Sequence, residues 1–415
     1  MVSKKINSLR AFEILDSRGF PSVSVHICLE NGICGSASVP SGASKGSSEA
    51  YERRDQDPLR YGGKGTLEVC RNIERKILPA IKGMDVCRQT LLDETLIALD
   101  GSENKETFGA NALLAVSLAA ARACANAYGL PLYRYLGGLF GSAGKPIPMM
   151  NVLNGGRHAE NNIDIQEFMI VPIHASSFSE SVRIGSEIYH ALKELLKKRG
   201  LCVSVGDEGG FAPNLNKDED ALDFLSEAIE AAGYSTDDVK IALDAAASEW
   251  EKNGNYFLPK RKTQQTADAL IQRFETLCAH YPILSLEDPV GEHDRSGWKK
   301  ITKTLGNHTM LVGDDLFVTN PKRLEEGIRE GLANAVLIKP NQIGTLTETM
   351  QTVRIAKENG YRVILSHRSG ETCDPFISDL AVAVGAQFLK AGAPSRGERI
   401  AKYNRLITME KLSKL

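Results

Sequence analysis

The chain has 415 residues, which at ~150 residues per domain allows two or three domains and makes the burial of a core unproblematic. Fifty basic against 52 acidic residues leave a formal charge of −2, which argues against a protein that coats nucleic acid or binds an anionic membrane through its net charge. With 42% hydrophobic and 25% charged residues the chain reads as soluble and globular.

From the N-terminus, Met1 to Gly19 carries Lys4, Lys5, Arg10, Glu13 and Asp16 and no continuous apolar segment, so no secretory signal is expected. Val23 to Leu29 follows the turn-like Asp16-Ser17-Arg18-Gly19 and is rich in β-branched residues, which predicts a strand. Val39 to Ser48 is a run of small residues that reads equally as a plain flexible loop or as a mobile lid, with Ser41 or its backbone near a metal or phosphate. Ala110 to Tyr128 lacks Gly and Pro and predicts a long helix; its apolar stretch to Ala121 is too short for the ~20 residues that cross a bilayer. Eight cysteines, at 28, 34, 70, 87, 124, 202, 278 and 373, never form C-x-x-C and are expected as buried thiols in a reducing cytosol. Gly and Pro cluster between 137 and 148, which places a boundary between an α+β domain, 1–137, and a second domain, 138–415.

Beyond that boundary, Pro148 to Leu153 and Phe168 to Pro172 are apolar runs with little room for a helix between them, as in a hairpin. Apolar runs then end in turn at Asp207-Glu208, Asp244, Glu287-Asp288, Asp314-Asp315, Lys339, His367-Arg368 and Lys390. Counted from Glu208, the closing residues are 36, 43, 27, 25, 28 and 23 apart, each gap long enough for one crossover helix. Repeated βα units at that spacing predict an α/β fold with an irregular eight-stranded barrel. An open doubly wound sheet is the competitor, but no strand is followed by a Gly-rich dinucleotide loop.

In a barrel the strand ends converge, so Glu208, Asp244, Glu287 and Asp314 would share a small volume. Any one of them alone reads as a helix cap or a solvated loop charge; four in succession repel one another unless a cation binds, and oxygen-only ligands select a hard divalent ion such as Mg²⁺. Lys339, His367-Arg368 and Lys390 then invert the charge, which suits a metal-bound anionic substrate, with Arg368 and Ser369 placed for a phosphate. Read in isolation, His158 and Glu167 are surface polar groups.

The ordered motifs ILDSRG (14–19), VPSGAS (39–44), GANALLAVSLA (109–119), NGGRHAENNIDIQEFMI (154–170), GDEGGFAPN (206–214), ALDAAASE (242–249), SLEDP (285–289), GDDLFVTN (313–320), IKPNQIGTLTET (338–349), SHRSGET (366–372) and KAGAPSR (390–396) resemble the enolase family along nearly the whole chain. The resemblance implies reversible dehydration of 2-phospho-D-glycerate to phosphoenolpyruvate with two Mg²⁺ per site. Asp244, Glu287 and Asp314 are implied as ligands of one ion and Ser41 as the lid residue reaching the other. Lys339 is implied as the base at C2 and Glu208 as the acid at the 3-hydroxyl, with His158, Glu167, Glu287, Asp314, His367, Arg368, Ser369 and Lys390 around the substrate. For Lys339 to act it must be neutral, its pKa lowered by Mg²⁺ and Lys390. A homodimer or higher homo-oligomer is implied, in the cytoplasm, with a surface or secreted fraction compatible with the family; no membrane span and no nucleic acid is expected. Phe20, Lys45, Cys373, Pro375 and Gly397 depart from the family pattern, and Lys45 adds a positive charge to the lid. Two competing readings are a superfamily racemase or lactonising enzyme and a non-catalytic scaffold. The SHRS segment and Glu208 argue against the first, the intact acid, base and ligand set against the second.

Overall fold

The computed structural model describes residues 3–42, 46–138 and 144–413. The N-terminal part opens with an antiparallel sheet, β1 (Ile6–Leu15), β2 (Pro21–Leu29) and β3 (Cys34–Ser38). α1 (Leu67–Asn72) and α2 (Leu78–Ile81) flank a π-helical turn at Ile73–Ile77, followed by α3 (Gln89–Asp100), α4 (Ala110–Ala127) and α5 (Leu132–Gly137). In β2, Val23, Val25, Ile27 and Leu29 alternate inward, and α4 packs across β2 and β3. Gly35 admits this helix, since a Cβ there would lie 2.2 Å from the Ala123 nitrogen. By length and composition α4 could cross a bilayer, yet 83% of it is buried inside the protein.

The second part starts with β4 (Ile147–Asn154) and β5 (Glu167–Pro172), then α6 (Phe178–Lys198) and α7 (Asp218–Ala231). After β6 (Val239–Asp244), a three-stranded ribbon of β7 (Glu251–Lys252), β8 (Asn255–Leu258) and β9 (Thr263–Gln265) leads to α8 (Ala267–His280). The chain then alternates: β10 (Ile283–Glu287), α9 (Arg295–Leu305), β11 (Met310–Gly313), α10 (Pro321–Glu330), β12 (Ala335–Ile338) and α11 (Leu346–Glu358). It ends with β13 (Arg362–Ser366), α12 (Phe376–Ala383), β14 (Phe388–Lys390) and α13 (Gly397–Ser413). The eight strands β10-β11-β12-β13-β14-β4-β5-β6 close into a barrel, as the spacing predicts.

Two details differ from the expected run of βα units. β5 pairs antiparallel with both β4 and β6, so only the first connection is the expected hairpin and the chain continues with two helices before β6. The run Cys202 to Val205 is no barrel strand: it touches Phe211 through one isolated bridge, within the loop between α6 and α7. Its apolar residues mimic a strand but lack a neighbour with free ladder groups, because β4 and β5 already pair with each other.

Barrel strands buried on both faces read as continuous apolar runs, but the alternation survives in where side chains point. Met149, Met169, Val171, Ala242, Met310, Val312, Ala335, Leu337, Ile364 and Phe388 fill the interior. The intervening Phe168, Ile170, Ile241, Leu243, Leu311, Val336, Ile338, Val363, Leu365 and Leu389 pack outward under the helices. The helices supply matching stripes, as α6 does with Ile184, Ile188, Leu192 and Leu196, its start capped by Ser177 accepting from Glu180 N–H.

The cysteine expectation fails in two respects. Cys28 and Cys34 face each other across β2 and β3 and are joined by a disulfide. Cys202 and Cys373 are exposed rather than buried.

Candidate active site

The site lies where the interior alternation runs one step beyond the apolar filling. Asp244, Asp314, Lys339, Ser366 and Lys390 each follow an inward apolar residue by two positions, and so point into the same mouth. Because β5 runs antiparallel, its first residue, Glu167, arrives at that same end beside Asp244 in the register. Glu287 closes β10 next to Asp244. His158 comes from a short 3₁₀ turn after β4, and Glu208 from the loop between α6 and α7. Contrary to expectation, Glu208 is therefore not at a strand end, whereas His158 and Glu167, surface groups when read in isolation, are buried and line the pocket in which the resemblance puts them. These side chains close on one another and leave about 20 Å³ of free space between them, little more than the ~10–15 Å³ that one water needs.

Two ammonium groups compensate the carboxylates. Lys390 Nζ lies 3.0 Å from Glu167, 3.2 Å from Asp244 and 2.9 Å from Glu287. Burial alone would lower its pKa, but those three carboxylates outweigh it and hold the pKa well above the ordinary lysine value. Lys339 Nζ donates to Asp314 Oδ2 at 2.5 Å, while Asp314 Oδ1 accepts from Gln342 Nε2 at 2.8 Å. Burial works against the charged lysine and Asp314 overrides it, so the contact with Asp314 raises the Lys339 pKa. The sequence could not show that the Asp314 carboxylate contacts Lys339.

On the other side of the pocket, His158 Nδ1 stands 3.4 Å from Glu167 and 3.7 Å from Glu208. Burial, then the Glu208 charge, pushes Glu167 well above the usual carboxylate range. Burial also acts on Glu208, but the His367 and His158 rings beside it prevail and keep it low. Glu208 Oε2 accepts from Asn151 Nδ2 at 2.9 Å and faces His367 Nε2 at 3.3 Å. Burial pulls His367 down to about 3, so the ring is neutral at pH 7. Arg399 Nη1, which can only donate, is 2.6 Å from His367 Nδ1; the ring proton must then sit on Nε2, facing Glu208.

Arg368 is buried, and its guanidinium grips Glu49 through both nitrogens at 2.9 and 3.1 Å and reaches Asn341 at 3.1 Å. A carboxylate thus occupies the fork expected to hold a phosphate. Ser369 lines the pocket beside it. Ser41 is buried but does not join the carboxylates: its hydroxyl donates to Asp16 at 2.6 Å and accepts from Arg18 at 3.0 Å, and its N–H donates to Gly370 O at 2.7 Å. Gly370 must be glycine here, since a Cβ would lie 2.3 Å from Asp16 Oδ2. On the far flank of the lid, Ser47 Oγ donates to Glu292 at 3.0 Å and Ser48 Oγ accepts from Arg323 at 2.8 Å. Lys45 lies outside the described residues.

Sequence reasoning missed Gln166, whose Nε2 donates to Asp244 at 3.3 Å, and Gln342, Glu49, Asn151 and Arg399. Gln166 carried a signal, since it adjoins Glu167 in the 154–170 motif; the others orient functional groups through contacts between distant segments.

The donor set fits a hard divalent cation. Asp244, Glu287 and Asp314 are buried oxygen donors from the neighbouring strand ends of β6, β10 and β11. Burial and then the Asp244 charge push Glu287 well above its ordinary pKa, so added positive charge would favour its ionised form.

Two family models match the chain: the one described as "Enolase, N-terminal domain" over residues 6–136 and the one described as "Enolase, C-terminal TIM barrel domain" over residues 143–414.

Proposed function

The chain belongs to the enolase family, and from that premise we propose that it catalyses the reversible, Mg²⁺-dependent dehydration of 2-phospho-D-glycerate to phosphoenolpyruvate and water. The observation that carries this reading is the opposition of Lys339 to the Glu167 and Glu208 pair across one small pocket, with the three carboxylates between them. A base on one face and a proton-bearing carboxyl on the other are what removal of a C2 proton and loss of a C3 hydroxyl require.

Asp244, Glu287 and Asp314 would hold Mg²⁺, which when bound supplies the positive charge that makes a proton next to a carboxylate removable. Lys339 Nζ takes the C2 proton, the electron pair of the C–H bond passing into the substrate carboxylate, and in a second step that pair returns to form the C2–C3 double bond as the 3-hydroxyl leaves with a proton from the acid. Lys339 must first lose its proton, and its tie to Asp314 is the obstacle. Were Asp314 to hold the cation, its ion pair with Lys339 would weaken and the Lys339 pKa would fall, so ligand and base would share one carboxylate. The Glu167 and Glu208 pair differ in proton affinity, Glu167 holding the proton and Glu208 facing the neutral His367. We assign Glu208 as the donor to the leaving hydroxyl, with Glu167 and His158 as its proton reservoir.

Lys390 remains charged and is assigned to the substrate carboxylate. Arg368, with Ser369 beside it, is assigned to the phosphate, which would take the place of Glu49 in the guanidinium fork. Ser41 at a second Mg²⁺ requires its bonds to Asp16 and Arg18 to open, so two ions per site belong to this reading together with a rearranged lid. A cytoplasmic homodimer or higher homo-oligomer completes the proposal. The test is absorbance of phosphoenolpyruvate formed from 2-phosphoglycerate with Mg²⁺ and with excess chelator; equal rates in both would refute it.

A further inference from the structure

The outer face of the N-terminal sheet carries a group of side chains that the barrel chemistry does not use. β2 and β3 form a hairpin turning through Glu30-Asn31-Gly32, with Leu29 N–H donating to Ile33 O at 2.9 Å and Cys28 opposite Cys34. With Leu29 and Ile33 as the bonded step, Cys28 and Cys34 form the adjacent non-bonded pair, whose side chains approach most closely; their Cα atoms are 4.1 Å apart. Because Val25, Ile27 and Leu29 turn inward, His26 and Cys28 share the outward face. His26 Nε2 is 3.2 Å from Cys28 Sγ, and the donor atoms of His26, Cys28 and Cys34 all lie within 4.8 Å of one another. The ring is exposed and both cysteines are partly so, leaving the group open to ions and reductants. Arg10, opposite His26 in the register, reaches toward Glu74 at 3.9 Å.

As a disulfide the two sulfurs are poor ligands, whereas as thiolates they are strong ones. We propose that this hairpin is a redox-gated site for a thiophilic divalent cation of the zinc type, closed as the Cys28–Cys34 disulfide and opened by reduction to a two-thiolate, one-imidazole ligand set. A dithiol reductant gives two electrons to the Sγ–Sγ bond, each sulfur takes a proton, and the reductant leaves as its own disulfide. Cation binding then releases both protons, and water completes a tetrahedral shell around two Sγ and His26 Nε2. Softness separates this site from the oxygen-only pocket of the barrel, which favours Mg²⁺. The other close thiol pair, Cys87 and Cys124 with sulfurs 3.3 Å apart, is a weaker candidate: burial pushes the Cys124 thiol up to about 12.

The test uses the full chain with excess Mg²⁺ to occupy the carboxylates. Cd²⁺ is titrated into the oxidised and the dithiol-reduced, desalted protein, read by thiolate-to-metal charge-transfer absorption, with Zn²⁺ as competitor. The reduced protein is expected to show a saturable band at one equivalent that Zn²⁺ displaces, and the oxidised protein none. C28S should abolish the band, with C34S as the second variant should C28S not fold. H26A should weaken binding by at least the ~10-fold that loss of even an outer-shell partner costs. No saturable band in the reduced protein, a band retained in a folded C28S or C34S, or unchanged affinity in H26A would overturn the site as proposed.

Discussion

Along six barrel strands, the inward side chains at the lower level are Met169, Ala242, Val312, Leu337, Ile364 and Phe388; one inward step toward the mouth they are Glu167, Asp244, Asp314, Lys339, Ser366 and Lys390. The backbone alternation is the same at both levels, and all of these residues are buried except the half-buried Lys339, so the main change is in side-chain chemistry. The lower level closes the barrel by filling it with apolar volume. The upper level holds charges that cost several kcal/mol each to desolvate and is tolerable only because Lys390 and Lys339 sit among the carboxylates. The contrast teaches that the two levels should fail differently: a change below should cost stability, and a change above should cost turnover.

The sharpest separation is expected from Lys339→Ala. It should lower dehydration by the ~10²–10⁴-fold that a positioned base supplies, with the far-ultraviolet circular dichroism unchanged. Leu337→Ala, two residues earlier, should do the reverse, costing ~2–5 kcal/mol of stability by denaturant titration while the folded fraction keeps most of its turnover. If Leu337→Ala spared stability, the lower level would not be the closed core described here. Asp244→Asn removes one oxygen donor of the upper level and should weaken Mg²⁺ binding and activity together, by ~10–100-fold or more. Activity lost without any change in Mg²⁺ affinity would remove Asp244 from the ligand set.

Away from both levels, Glu219 offers a small control. Burial opposes its ionisation, but its bonds to Arg261 at 2.9 Å and Arg273 at 3.1 Å prevail and bring its pKa down to about 2. A depressed carboxyl stabilises the fold above its unfolded pKa and loses that contribution as pH falls through the folded one. Glu219→Gln should therefore cost no more than ~1 kcal/mol at pH 7, the gap to the parent closing between about pH 4.5 and pH 2. A gap that widened on acidification would reverse the assignment.

Much of the upper level was legible in the sequence, because each functional residue follows an apolar run that must be a strand and so shares its inward phase. Glu208 was legible by its motif but not by its location, since an apolar run says nothing about whether a neighbouring strand has free ladder groups. His158 and Glu167 read as surface polar groups because the antiparallel course of β5, which carries Glu167 into the mouth, is a property of the closed barrel. The disulfide had only a partial signal: Asn31-Gly32 between two alternating runs marks a hairpin, but a two-residue turn there would set Cys28 opposite Gly35, and it is the three-residue loop Glu30 to Gly32, between the paired Leu29 and Ile33, that sets Cys28 opposite Cys34. The protonation of Lys339 had none, resting on one contact with Asp314.

The assignment of base and acid to opposite faces of the pocket is tested most directly by hydrogen exchange at C2. Each variant is incubated with 2-phosphoglycerate and Mg²⁺ in deuterium oxide, and deuterium incorporation is read by mass spectrometry. Lys339→Ala should show neither dehydration nor exchange, whereas Glu208→Gln should lose dehydration yet still exchange the C2 hydrogen, because its base and ligand carboxylates are intact. Exchange persisting in Lys339→Ala, or vanishing in a folded, Mg²⁺-binding Glu208→Gln, would mean that the two roles are reversed or that the two bonds break together.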